Sequence, residues 1–142
     1  MENVYTNRYK SYCRSLSNLA FGIGADPDEP LILPGVVQCF SLSFDLAWKV
    51  MKDVLTKRLG ILDFKAGSPR EVLNMAFSNG LISSEVWLSM LRTRNTLVHD
   101  YDGKIAHEKF SQIMNEYYPI MCQFKETIEP YCRESENIDH FK

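Results

Sequence analysis

The sequence lacks any long apolar run, and no stretch approaches the roughly 18 consecutive apolar residues that a membrane-spanning helix needs. The first ten residues, MENVYTNRYK, also lack the apolar segment of a secretory signal. Both absences predict a cytoplasmic protein that does not associate with a membrane. The net charge of −2 argues against broad, sequence-blind binding to duplex DNA. The charge totals still allow a local basic groove, for example one formed by Lys49, Lys52, Arg70, Arg92 and Arg94.

Cysteine and histidine are scarce, and their spacing matches no familiar metal-binding pattern. The four cysteines form no C-x-x-C pair, and the three histidines do not combine with them at zinc-finger spacings. We therefore expect neither a metal site nor a cofactor. A chain of 142 residues can bury a core without disulfides, so we predict reduced, mostly buried thiols. The four cysteines are Cys13, Cys39, Cys122 and Cys132.

Strand-like alternation, internal repeats and low-complexity segments are also missing. Apolar residues recur instead at three- and four-residue steps, which is typical of amphipathic helices. This pattern predicts an all-α bundle with four principal helices and one short extra helix, which is the third. We expect a single domain over residues 1–130 and a polar, frayed tail over residues 131–142. The five helices begin near Glu2, Val36, Ser68, Ser83 or Ser84, and Asp102.

Several helix ends have recognisable signals. Ser68 and Glu71 have the spacing of a capping box at the start of the third helix, with Pro69 at its first position. Gly60 is a plausible stop for the second helix. Pro119 lies inside the last apolar stripe, so it should kink or break that helix.

The fourth helix contains a charged residue in an apolar stripe. Trp87, Leu91, Arg94 and Val98 share one face, so Arg94 occupies a position where the pattern predicts a leucine. A guanidinium there costs on the order of several kcal/mol unless it is paired or faces water. His99 lies about 140° further round a continuous helix. The two side chains converge only if the helix ends near His99, and the following DYDG favours such an ending.

Two interpretations of this pair are open. In the structural one, His99 stabilises a helix C-terminus and Arg94 anchors a carboxylate such as Asp45 on the second helix. In the functional one, Arg94 and His99 form an anion site with acid–base capability. No nucleophilic serine or cysteine is adjacent to the pair, and no carboxylate cluster suggests a metal. The functional interpretation therefore points to metal-independent cleavage of RNA, in which the substrate's own 2′-hydroxyl attacks.

The segment RNTLVHDY (94–101) fits the Arg-x4-His-x-Tyr motif of HEPN domains, the higher-eukaryote and prokaryote nucleotide-binding helical bundles. Two further blocks, FSLSFDLAWKVMKDVL (40–55) and GSPREVLNMAFSNGLI (67–82), occur in the expected order before it. Together with WLSMLRTRNTLVHDYD (87–102), they resemble the nucleotidyltransferase substrate-binding subgroup over most of residues 5–125.

The resemblance implies an up-and-down four-helix bundle that forms a homodimer with a composite cleft. It also implies a minimal nucleotidyltransferase encoded nearby as the partner, in a toxin–antitoxin-type system. The HEPN subunit would be a metal-independent RNase, and the transferase would silence it by binding or by adding AMP to a tyrosine. By position, Arg94 and His99 would be catalytic, Tyr101 the modified residue and Asn95 a supporting polar group.

Two further residues are candidates for the site. The family usually has glutamate where this chain has Asp45, so the carboxylate is kept on a shorter side chain. Asp45 and Lys49 are then supporting candidates, or alternatively form an ordinary ion pair on the surface of the helix. The alternative function is a non-catalytic subunit that binds a nucleotide or other substrate for a separate nucleotidyltransferase. We expect RNA or a nucleotide as the ligand under either hypothesis.

Overall fold

A computed structural model describes residues 4–61 and 67–140 of the chain, with side chains described for residues 7–61 and 67–133. Within these ranges the regular structure is entirely helical, which confirms the predicted all-α class. No helix of the described part is long and apolar enough to cross a membrane. The α-helices are α1 (Val4–Leu19), α2 (Ile32–Asp53), α3 (Pro69–Ser78), α4 (Val86–Leu97), α5 (Lys104–Gln112) and α6 (Tyr118–His140).

The second helix begins four residues earlier than predicted. The segment GIGADPDEPLILPG (22–35) predicts a loop because of its glycines and prolines, yet Pro34 and Gly35 lie in the first turn of α2. Proline is tolerated there because the first N–H groups of a helix have no partner within it. At its other end α2 continues into a π-helical turn (Val54–Arg58). Gly60 then ends the helical segment with a φ of +67°, as predicted.

The starts of the third and fourth helices differ in how they are capped. Ser68 occupies the predicted N-cap position of α3, but its hydroxyl makes no capping hydrogen bond, so this half of the predicted capping box is wrong. Near the start of α4, the Ser84 hydroxyl accepts a hydrogen bond from the Val86 N–H at 3.1 Å. Ser84 therefore serves as a start signal, as its sequence position suggested.

The expected break at Pro119 is absent, because α5 and α6 are joined by a π-helical turn (Ile113–Tyr117). Pro119 has no N–H to donate to the preceding turn, and a wider π turn just before it accommodates that loss. Together α5, the π turn and α6 form one continuous helical rod. This rod continues past Pro130, and its described backbone is helical to His140. The predicted fraying of residues 131–142 concerns motion and stays a prediction.

Neighbouring helices run in opposite directions, as expected of an up-and-down bundle. Arg8 pairs with Asp53 at 2.7 Å, while Ser15 bonds Ser43 at 2.8 Å, so α1 and α2 are antiparallel. Trp87 of α4 packs edge-on against Phe124 of α6, with ring centroids 5.5 Å apart. The short α3 packs against α2 and α4. Four principal helices and one short helix result if α5, the π turn and α6 are taken as one rod.

Candidate functional site

The fourth helix ends where the site hypothesis requires. Helix α4 stops at Leu97, and the next two residues form a tight turn. The His99 N–H donates to the Thr96 carbonyl at 3.1 Å, and the Asp100 N–H to the Leu97 carbonyl at 3.2 Å. These i→i−3 bonds are those of a 3₁₀-type turn, so the regular α-helix ends before His99.

The guanidinium of Arg94 reaches across to the second helix. Its Nη2 atom lies 2.9 Å from Oδ1 and 3.1 Å from Oδ2 of Asp45. Its Nη1 atom donates to Oδ1 of Asn95 at 3.1 Å. The Arg94 and Asp45 side chains are 29% and 30% exposed, so the pair lies at the edge of the bundle and is not sealed inside it. The contact between Asp45 and Arg94, which the shorter carboxylate left open, is therefore made.

The two carboxylate oxygens of Asp45 are not equivalent. Oδ2 accepts a hydrogen bond from Arg94, whereas Oδ1 is buried and has no partner with hydrogen-bond geometry. The 2.9 Å approach of Nη2 to Oδ1 is thus an electrostatic contact, and we assign the directional bond to Oδ2. Asp45 retains one unfilled acceptor facing Arg94.

Lys49 does not form the suggested surface ion pair. Its Nζ lies 5.8 Å from the ring centroid of Trp48, at the distance of a cation–π contact. Within the described residues no ion pair joins Lys49 to Asp45, so that alternative is wrong. Lys49 is exposed on the same helix one turn beyond Asp45.

The other two motif residues are accessible to solvent. His99 is exposed, and Tyr101 is 91% exposed. In the part of the chain described, no hydrogen bond or ion pair connects His99 with Arg94. The motif thus presents the guanidinium of Arg94, which Asp45 and Asn95 hold, at the end of α4. The side chains of His99 and Tyr101 follow it on the exposed turn.

Asp100, between these two residues, fixes the turn, and its capping of the following helix was not predicted from the sequence. Its Oδ1 accepts the Ile105 N–H at 3.0 Å and its Oδ2 accepts the Ala106 N–H at 2.8 Å. Asp102, the predicted cap, accepts only the Lys104 N–H, at 3.1 Å. The chain can fold back in this way because Gly103 has a φ of +74°, where a side chain would be strained. Asp100 is therefore the principal cap of α5.

A buried hydroxyl cluster holds the middle of α4 in place. The Tyr117 hydroxyl lies 2.6 Å from the Ser89 hydroxyl and 2.9 Å from that of Thr93. Its ring stacks on Phe40 of α2 with centroids 5.5 Å apart. Tyr117 lies in the π turn, so it links the rod to α2 and α4. Its contact with α4 at Thr93 is immediately before Arg94. The partners of Tyr117 lie 24 and 28 residues away along the chain, so no local sequence pattern could indicate them.

A cleft of about 850 Å³ opens beside Tyr101. One wall is the loop before α2 together with its first turn, and the other is the segment from Leu97 to Glu108. His107 of α5 bridges the walls, with Nε2 2.9 Å from Oδ1 of Asp28. Arg94 and His99 are not part of its lining. The Asp28–His107 pair spans so much sequence that no local pattern could indicate it.

The four cysteines form no disulfide, and the pKa of one of them is raised. All four are free thiols, of which Cys132 is buried and the others are half-buried. The prediction that most of the thiols are buried is wrong, because it holds for Cys132 alone. Burial raises the pKa of the Cys39 thiol, so its reactive thiolate form is disfavoured at neutral pH.

Comparison with known proteins agrees with this fold and shows the family of the chain. The model of the family described as nucleotidyltransferase substrate binding protein like matches residues 7–130. The crystal structure of a Thermus thermophilus protein is similar with a TM-score of 0.65 and 23% sequence identity, over 88% of this chain and 98% of that chain. No curated protein matches significantly.

The fold and site define an all-α bundle with an arginine–histidine–tyrosine motif at the end of one helix. The family match covers most of the chain, and the chain belongs to the nucleotidyltransferase substrate-binding protein-like family. The Thermus thermophilus structure supports the fold. The resemblance recognised in the sequence is thereby confirmed.

Proposed function

We propose that the protein is the HEPN subunit of a two-component system with a minimal nucleotidyltransferase, and that it acts as a metal-independent RNase toxin. One observation carries this proposal. The Arg94 guanidinium is held by Asp45 and Asn95 at the edge of the bundle, while His99 stands exposed on the turn that follows.

The chemistry follows from these two side chains. A guanidinium has five N–H donors, and the contacts to Asp45 and Asn95 leave some of them for a phosphate oxygen. Arg94 would stabilise the charge that develops when the 2′-oxygen of RNA attacks the adjacent phosphorus. His99 would move a proton between the attacking 2′-hydroxyl and the departing 5′-oxygen. The products are a cyclic phosphate and a free 5′-hydroxyl. This step consumes no water molecule and needs no metal ion.

A second copy of the chain would complete the active site, by placing its own motif opposite Arg94 and His99. This composite dimer cleft is distinct from the cleft beside Tyr101. No hydrogen bond or ion pair joins His99 to Arg94 within the described chain. Contacts from the motif of a second copy could therefore be made to both side chains. Apolar side chains flank the ion pair, with Leu42 46% exposed one turn from Asp45 and Val98 63% exposed one turn from Arg94. Exposed apolar groups beside a polar site are typical of a surface that another subunit covers.

Silencing by the transferase would act on Tyr101. Its side chain is 91% exposed, so its hydroxyl is accessible to a bound ATP. The hydroxyl oxygen would attack the α-phosphate of ATP, which would release pyrophosphate and leave AMP on the tyrosine. We expect mass spectrometry to find AMP on the peptide containing Tyr101 after co-expression with the neighbouring transferase. The Tyr101→Phe variant should remain unmodified, and an unmodified wild-type peptide would contradict the silencing step.

A specific observation favours a second candidate function, a non-catalytic subunit that binds a nucleotide or other substrate for the transferase. Arg94 is already paired with Asp45, so a phosphate must share the guanidinium with a carboxylate. Such a site can bind a phosphate group without performing chemistry on it. The family's description as substrate-binding agrees with this candidate.

Incubation of the purified protein with RNA in EDTA separates the two functions. We expect cleavage by the wild type and a loss of about 100-fold or more in His99→Ala and Arg94→Ala. The matched controls His107→Ala and Arg14→Ala remove a histidine and an exposed arginine outside the motif, so they should retain activity. Intact RNA with the wild type would rule out the RNase and favour the binding subunit.

A further inference from the structure

The cleft beside Tyr101 has a charge opposite to what RNA would need. Its lining holds five carboxylates against a single lysine, while the whole chain has a net charge of only −2. The rest of the molecule is therefore net positive. Phosphate groups would be repelled from this cleft and attracted elsewhere.

The backbone N–H groups near the cleft are not available to an anion either. The start of α5 would normally attract a phosphate, because its first N–H groups point outward. Here the Asp100 carboxylate accepts those of Ile105 and Ala106, and Asp102 accepts that of Lys104. The cleft thus lacks both the charge and the free donors that would hold a nucleic acid.

The walls of the cleft are held in position by internal contacts. Asp26 accepts the Asp28 N–H at its Oδ1, at 2.9 Å, and the Glu29 N–H at its carbonyl, at 3.1 Å. The ion pair from His107 to Asp28 then ties this loop to α5. A surface that is ordered before binding loses less conformational entropy when a partner arrives.

The lining of the cleft combines apolar side chains with the carboxylates. Leu33, Val37, Leu97 and Ala106 contribute to it; Leu97 and Ala106 are buried, whereas Glu29 and Glu108 are exposed at its rim. A lining with apolar groups and carboxylates suits a segment that carries lysine or arginine next to an apolar side chain. A volume of about 850 Å³ is in the range of pockets that receive ligands.

We infer that this cleft is the docking site for a basic, partly apolar segment of the nucleotidyltransferase, which thereby brings its active centre to Tyr101. The inference rests on the proposed pairing with that enzyme. The motif would then be divided between two surfaces. Arg94 and His99 lie outside the cleft, and Tyr101 lies on its rim.

Charge reversal at the rim tests this docking site. Glu108 and Glu29 line opposite walls, and neither side chain makes a hydrogen bond or ion pair in the described part of the chain. We expect Glu108→Lys and Glu29→Lys each to weaken binding of the purified neighbouring transferase by about tenfold at low salt, measured by calorimetry. Unchanged melting temperatures would show that both variants fold.

A matched control lies on the same helical rod. Glu126 is also exposed, about five helical turns beyond Glu108, so Glu126→Lys should bind the transferase like the wild type. If the wild type binds and Glu108→Lys binds equally well, the docking site is wrong but the pairing stands. If the wild type does not bind at all, the pairing itself fails. RNA binding that strengthens in Glu108→Lys, with transferase affinity unchanged, would assign the cleft to nucleic acid and overturn the inference.

Discussion

Arg94 shows how a charged residue can occupy an apolar stripe. The sequence pattern required it to be either paired or exposed to water, and it is both: it contacts Asp45 and is 29% exposed. An ion pair at this exposure contributes at most about 1 kcal/mol to stability, because water screens it. The main effect of Asp45 is therefore to orient the guanidinium.

This orientation leads to a prediction for Asp45. We expect Asp45→Ala to lower the free energy of unfolding by no more than about 1 kcal/mol. It should nevertheless slow RNA cleavage by about tenfold, which corresponds to about 1.4 kcal/mol of transition-state stabilisation. Asp45→Glu should keep most of the activity, because its carboxylate can still reach Arg94. Full activity in Asp45→Ala, measured with a labelled RNA, would show that Arg94 needs no orienting partner.

Asp100 provides a second prediction. Asp100→Ala leaves two N–H groups at the start of α5 without acceptors, so it should lower the free energy of unfolding by about 1–2 kcal/mol. Asp102→Ala loses one exposed contact and should cost less than half as much. Urea denaturation of both variants measures the difference. Equal losses would mean that Asp100 is not the principal cap.

The sequence predicted the partner of Arg94 but not the cap of the helix that follows. The position of Arg94 in an apolar stripe predicted that it would need a partner, and Asp45 was the candidate. The role of Asp100 could not be predicted, because it caps groups five and six residues ahead through a turn that depends on the positive φ of Gly103. Usual capping spacings are shorter and pointed to Asp102.

Helix α4 is held in place by an irregular part of another helix. The π turn (Ile113–Tyr117) places the Tyr117 hydroxyl against Ser89 and Thr93, in the turns just before Arg94. Because these hydroxyls are largely removed from water, their mutual bonds favour one axial position of α4. That position determines where the guanidinium lies.

Removal of this hydroxyl should therefore be costly. Tyr117→Phe keeps the stacking on Phe40 but leaves Ser89 and Thr93 without their partner. We expect a loss of about 1–2 kcal/mol in the free energy of unfolding, measured in urea. Tyr118→Phe is the matched control, because Tyr118 is only half-buried and, among the described residues, its hydroxyl interacts with the neighbouring Cys122 thiol, so its loss should cost less. A Tyr117→Phe variant as stable as the wild type would contradict the anchoring role.

At the level of helices, apolar periodicity predicted the positions of the helices well, whereas Pro34 and Pro119 did not predict where helices are interrupted. The apolar spacing placed all five helices, and Gly60 marked the end of the second. Pro34 and Pro119 both suggested interruptions that do not occur. A first helical turn and a π turn each tolerate a missing N–H, and neither is visible in local composition.

The whole molecule has two surfaces of different character around one motif. The surface near Arg94 is flanked by exposed apolar side chains, whereas the cleft near Tyr101 is acidic. Different partners suit these two surfaces, a second copy of the chain at the first and a basic segment at the second. A dimer that buries the first surface would leave Tyr101 accessible to a transferase.

The proposed dimer depends on Leu42. We expect the wild type to sediment as a dimer, and Leu42→Asp to weaken the association by about tenfold or more, because a carboxylate would be buried at the contact. Phe77→Asp is a matched control, since Phe77 is equally exposed, at 46%, but lies on α3. A monomeric wild type, or a dimer unaffected by Leu42→Asp, would remove this surface as the interface.

The claim on which the functional proposal depends is that Arg94 and His99 act on a phosphate attacked by its neighbouring 2′-hydroxyl. The most direct measurement compares wild-type cleavage, in EDTA, of an RNA oligonucleotide with that of the same oligonucleotide carrying one 2′-deoxyribose at the cleaved position. We expect the RNA to be cut to a cyclic phosphate end and the substituted oligonucleotide to stay intact at that position. Cleavage of both, or of neither, would contradict the claim.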